Sequence, residues 1–255
     1  AIVSLASMVT TLICGVILDA SSLAVGYQIV FGIGLVGSVV STLHLSRIKS
    51  LEGGNALHSE ARPMGSSWRM LFRFDVLKTG YLKIIAIFFV FHLFQFLVIP
   101  IFPLFVVNKL GYSDQIISLG MSFFQVTTFF ISTQVIRISR RAKNHIIVGI
   151  GMVLMAEFPM FIPFAHQTPI YLLVVALSGV GWGLVSATMF NYLLERMPDD
   201  ERPAHMSWYN ISYNAAVLIG SMGGPLIASI IGYESAFWVF AFGRAMIGIV
   251  LLLWG

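Results

Sequence analysis

The residues able to do chemistry in this sequence are a few polar side chains set inside long apolar runs. A polar group surrounded by hydrocarbon costs free energy unless it is paired or faces a wet path, so each one needs a reason. His92 and Gln95 stand three residues apart and share a helix face just ahead of Pro100 and Pro103. An imidazole changes charge near neutral pH, which suits it to a solute or proton contact; a neighbouring helix can equally satisfy it. Trp182 lies in Gly179-Val180-Gly181-Trp182-Gly183, with Asn191 further along the same run. Asn210 and Asn214 again share a face, as i and i+4. Gln125 completes the set, because nearby Thr127 and Thr128 can bond their own helix backbone. These seven residues are the expected lining of a polar cavity.

Two charges lie deeper. Glu157 falls ~20 Å into its apolar run and Arg244 ~15 Å into the last one, at 1.5 Å per helical residue. Across ~30 Å of hydrocarbon, long side chains at those depths can meet. The expectation is a buried ion pair, with a proton-coupling site as the sharper alternative. No residues are spaced as a metal set, and neither a phosphate-cradling Gly-x-x-x-x-Gly-Lys loop nor a catalytic His-Glu-x-x-His or Gly-x-Ser-x-Gly motif occurs. No cofactor and no catalytic residue is therefore expected.

The elements that must carry these residues are membrane helices. Of 255 residues, 58% are hydrophobic and 10% charged, against roughly 25% charged in a soluble domain. One soluble domain has too little interior to hide that much apolar surface. The apolar residues fall into eight runs of spanning length, at about 1–18, 26–46, 80–107, 115–136, 144–165, 169–194, 204–231 and 234–255. The fold class expected is an all-α polytopic membrane protein. Cys14 is the only cysteine and sits in an apolar run, so it reads as a small core residue. The formal charge of +4 does not point to nucleic acid, because the charges sit between the runs.

Charge also orients the chain. Seven basic residues lie in or next to the linker 47–79, four in 137–143 and two in 195–203, together 13 of the 15. The alternate linkers hold Lys109 alone, and Arg244 is inside a run. By the positive-inside rule the long linker and the carboxyl end are cytoplasmic, in the cell membrane. Within that linker Ser66–Phe74 mixes aromatic and basic residues, and reads either as a helix lying at the headgroups or as a plain basic loop.

Gly26-Tyr27, Phe31 and Gly37 recur with the same spacing as Gly232-Tyr233, Phe237 and Gly243. The second copy opens the sixth span after the first, as expected for a six-helix unit repeated in parallel. With the 47–79 linker, the turn Leu110-Gly111-Tyr112-Ser113, the basic turn Arg137-Ile138-Ser139-Arg140-Arg141 and the stretch Pro198-Asp199-Asp200-Glu201-Arg202-Pro203, the chain resembles the major facilitator superfamily. The resemblance implies two six-helix bundles around a central cavity, moving a small solute by alternating access, with a proton or other ion as a coupling partner. It implies that residues 1–46 are the last two helices of the first bundle, 47–79 the linker and 80–255 a complete second bundle. Four helices ahead of Ala1 are then expected as a further partner, with the lipid bilayer around the whole. It also implies that spans 80–107 and 169–194 line the cavity. The competing readings, a membrane receptor or an intramembrane enzyme, lack the helix count and the catalytic clusters respectively.

Overall fold

A computed structural model describes residues 2–47, 73–78 and 80–255, and these are helical almost throughout. The expectation of eight spans is met, since eight helical segments are long and apolar enough to cross a membrane. The helices are α1 (Ile2–Ala20), α2 (Leu23–Ser46), α3 (Tyr81–Val98), α4 (Ile101–Asn108), α5 (Asp114–Ser139), α6 (Asn144–Leu154), α7 (Glu157–Phe161), α8 (Thr168–Glu195), α9 (Arg202–Ile231) and α10 (Tyr233–Trp254). A 3-10 turn at Phe74–Lys78 leads into α3. The Ser66–Phe74 segment falls outside the described residues except for Arg73 and Phe74.

Local chemistry sets the helix ends. Ser113 caps α5, its hydroxyl accepting from the Ile116 amide at 3.4 Å, and Asp114 follows in the first turn. Pro169 and Pro203 occupy the opening turns of α8 and α9, where their missing N–H is harmless. Gly232 turns the chain between α9 and α10 at φ 83°, a conformation that a side chain would strain.

Two spans are broken rather than continuous. The span 81–108 pauses at Ile99–Pro100 between α3 and α4, as the prolines foretell. The span 144–164 pauses at Met155–Ala156 between α6 and α7. Pro159 explains this second break, because a proline at i cannot donate to the carbonyl at i−4, here Met155.

The spans from α3 to α10 pack successively as an open ring in the order α5, α8, α6, α10, α3, α9. Lipid tails are as apolar as leucine, so close backbone approach and dispersion rather than the hydrophobic effect hold such helices together. Glycines permit that approach. A Cβ at Gly224 of α9 would collide with the Leu97 carbonyl of α3, and one at Gly179 of α8 with Thr127 and the Phe124 carbonyl of α5. The buried side chains form two clusters stacked along the bundle. One contains Phe88, Met152, Met155, Tyr192 and Tyr209; the other contains Ile101, Phe105, Tyr171 and Phe237.

Outside the ring, α1 packs along α5, with Gly15 set against Ser118, and α2 packs on α1. The internal sequence match is not mirrored in the packing. Gly26 lies inside the first turn of α2 against Leu18, whereas Gly232 turns the chain ahead of α10.

Candidate functional site

Inside the bundle, near the middle of the spans where the two core clusters meet, lies a cavity of about 460 Å³. That size suits a small molecule. Its walls come from both broken spans and from α5, α8 and α10. Phe102, Phe124, Phe158 and Met121 make much of the apolar lining, and Gln95, Ser178, Trp182 and Arg244 supply the polar groups. Ser178 and Trp182 are four apart on α8, which puts them on one face. The flanking glycines of α8 let α5 and α6 close in on either side, against Gly179 and Gly181 respectively.

Arg244 is 2% exposed, and its guanidinium is held at both helix breaks. Its Nη1 donates to the Met155 carbonyl at 3.0 Å, the acceptor left open by Pro159. Nη2 donates to the carbonyls of Gln95 at 3.2 Å and Phe94 at 3.3 Å, and Nε donates to Phe94 at 3.3 Å. The expected ion pair with Glu157 is not made. Arg244 bonds backbone carbonyls instead, and both Glu157 carboxyl oxygens are buried without a hydrogen-bond partner among the described residues. The physical reason is that main-chain carbonyls of the two broken spans, with Met155 left open by Pro159 among them, already satisfy the guanidinium. Glu157 remains within its electrostatic reach.

Of the other expected cavity residues, Gln95 and Trp182 line this space and the rest do not. His92 is 1% exposed in the packed core between α3 and α9, its Nε2 3.2 Å from the Tyr209 hydroxyl and its ring edge-on to Tyr213. Gln125 lines a separate crevice of about 210 Å³ against Ser4, Leu5 and Met8 of α1. Asn191 is exposed near the end of α8, in a polar hollow with Lys143, Asn144, Glu195 and Arg202. Asn210 and Asn214 are exposed on α9, and the Asn214 amide donates to the Asn210 carbonyl of its own helix at 2.7 Å.

Ser178 escaped the sequence reading, although its place one turn before Trp182 was the available signal. A polar clasp at the basic-turn end also escaped it. There Arg73 pairs with Asp75 at 2.8 Å and Glu201 at 2.7 Å, and the Trp208 indole donates to the Arg73 carbonyl at 3.4 Å. Arg73 adopts φ 44°, unusual for a side chain this long, and these bonds hold it there. Hydrogen bonding to Arg73 holds the Asp75 carboxyl below its ordinary value. Among the described residues no three His, Cys, Asp or Glu side chains gather as a metal set.

The family model described as Major Facilitator Superfamily matches residues 1–202 and, separately, residues 84–255. The chain belongs to that superfamily. No curated protein matches it. Superfamily members are transporters of small-molecule substrates, often with coupled ions, and this chain is accordingly an integral, multi-pass membrane transporter of the major facilitator kind. The two matches overlap across residues 84–202, so the same stretch aligns with the superfamily pattern twice.

Proposed function

We propose that this chain is the greater part of a secondary active carrier that moves a small solute by alternating access. The supporting observation is the cavity at mid-span within a superfamily chain, with polar groups converging from α3, α8 and α10. On this reading residues 80–255 form a complete six-helix bundle. Residues 1–46 are the last two helices of its partner, and the basic linker 47–79 joins the two on the cytoplasmic side of the cell membrane. The successive packing of α3 to α10 on one another and the separate docking of α1 and α2 on α5 support that division. Gln95, Ser178, Trp182 and Arg244 are then the solute-facing residues of this bundle.

The test needs no knowledge of the solute. With Ser178→Cys in a cysteine-free background of the full-length protein, a membrane-impermeant thiol reagent is applied to right-side-out and to inside-out vesicles. Labelling from both sides is the expected outcome for a site exposed alternately. Labelling from one side alone would overturn the reading.

A further inference from the structure

The polar lining of the central cavity is rich in hydrogen-bond donors. Arg244 brings a guanidinium with one N–H still open, Trp182 an indole N–H, Ser178 a hydroxyl and Gln95 an amide that can present either end. No aspartate or glutamate lines the space. Four bonds engage the Nε–H, both Nη2–H groups and one Nη1–H of Arg244, leaving its second Nη1–H without an acceptor among the described residues. Those acceptors are all neutral carbonyls. No carboxylate among the described residues stands within ion-pair distance of the guanidinium, although it is almost fully removed from solvent. A buried cation whose hydrogen bonds all go to neutral carbonyls, with Glu157 near but not in contact, is poised to gain from an anion placed directly against it. The Gln95 amide oxygen also has no partner among the described residues, so that side chain is free to turn its NH2 toward a ligand. The remaining lining is aromatic, aliphatic and thioether, from Phe102, Phe124, Phe158, Met121 and Val175.

We infer that this cavity binds a small molecule with a largely apolar, aromatic-compatible body and one anionic group, the anion pairing with Arg244. The inference deepens the carrier reading and takes from it only the use to which binding is put. Of the alternatives, a cation would meet Arg244 with like charge, and a polyhydroxylated solute would leave most of its hydroxyls facing apolar wall.

The experiment uses the full-length protein in detergent and three probes with one skeleton: 4-phenylbutyrate, its neutral amide and the corresponding amine. Binding is followed by thermal stabilisation and by tryptophan fluorescence. The carboxylate is expected to bind at least ~10-fold more tightly than the amide, with no binding of the amine. Ser178→Leu fills the cavity without touching the Arg244 bonds, and is expected to abolish carboxylate binding while the protein stays folded. Arg244→Lys keeps a cation but loses the fork, and is expected to weaken the carboxylate while leaving the amide unchanged. Equal affinity for acid and amide, preference for the amine, or carboxylate binding that survives Ser178→Leu would each overturn the inference. A selective carboxylate response in a protein whose Ser178→Cys variant labels from one side alone would sink the carrier reading and leave this one standing.

Discussion

At the scale of single residues, Arg244 and Glu157 differ in what they hold together. Arg244 supplies the donors for a carbonyl that Pro159 leaves open, so Arg244→Met should strand the Met155 oxygen and cost about 1–3 kcal/mol for that group alone. Glu157→Gln breaks no hydrogen bond among the described residues, and a change of at most ~1 kcal/mol is expected. Thermal unfolding of both variants in detergent measures the contrast, and equal losses would mean that the two side chains act as a pair after all. The sequence made both charges visible, since a charge inside an apolar run is conspicuous. It did not reveal that Arg244 bonds main chain, because a carbonyl freed by a helix break leaves no mark beyond the proline that frees it. His92 carries the same lesson. Its chemistry suits a solute contact, yet Tyr209 and Tyr213, more than a hundred positions away, enclose it in the core.

At the scale of elements, glycines decide which helices touch. Gly224→Val should drive α9 away from α3 at the Leu97 carbonyl and destabilise the protein by about 1–3 kcal/mol. Gly80→Ala at the start of α3, where the backbone is already helical and an added Cβ meets nothing within 4 Å, should leave the unfolding temperature unchanged or slightly higher. The same contrast shows what was legible beforehand. The eight spans and their glycine-rich packing stretches follow from composition and run length. Which glycine meets which helix follows from the ring order, and that is a tertiary fact. The clasp at Arg73 belongs to this scale as well. Glu201→Gln should loosen the 3-10 turn Phe74–Lys78 from α9, read as faster proteolysis between Arg73 and Tyr81. Acid should act in the same sense. The Asp75 carboxyl sits below its ordinary value of 3.8 when folded, so its contribution is present above that pH and is lost as pH falls through the lowered value. The clasp should therefore hold at neutral and mildly acidic pH, and proteolysis measured across a pH series checks this.

For the whole molecule, α1 is joined to the ring through α5, where Gly15 meets Ser118. If the ring and the α1–α2 pair are parts of two bundles that rock, that contact lies on the moving boundary. Cysteines placed at Gly15 and Ser118, with Cys14 replaced, should cross-link on oxidation and slow two-sided labelling of Ser178→Cys by about 10-fold or more, each tenfold being ~1.4 kcal/mol. Unchanged labelling after complete cross-linking would place the motion elsewhere.

The bonds from Arg244 to the two broken spans also bear on how the chain is made. α10 comes last of the described helices, and an arginine near the centre of a span costs about 2.5–3.5 kcal/mol at insertion, against a few tenths gained per leucine, isoleucine or phenylalanine. Once in the bilayer, that arginine has no acceptor of its own until it reaches the carbonyls of Phe94, Gln95 and Met155, which belong to spans synthesised earlier. α10 therefore carries its own incentive to dock, and only α3 and α6 already in place can satisfy it. A nascent chain stalled before Arg244 should leave the Met155 carbonyl without its donor, so the two broken spans wait on α10 to be tied together.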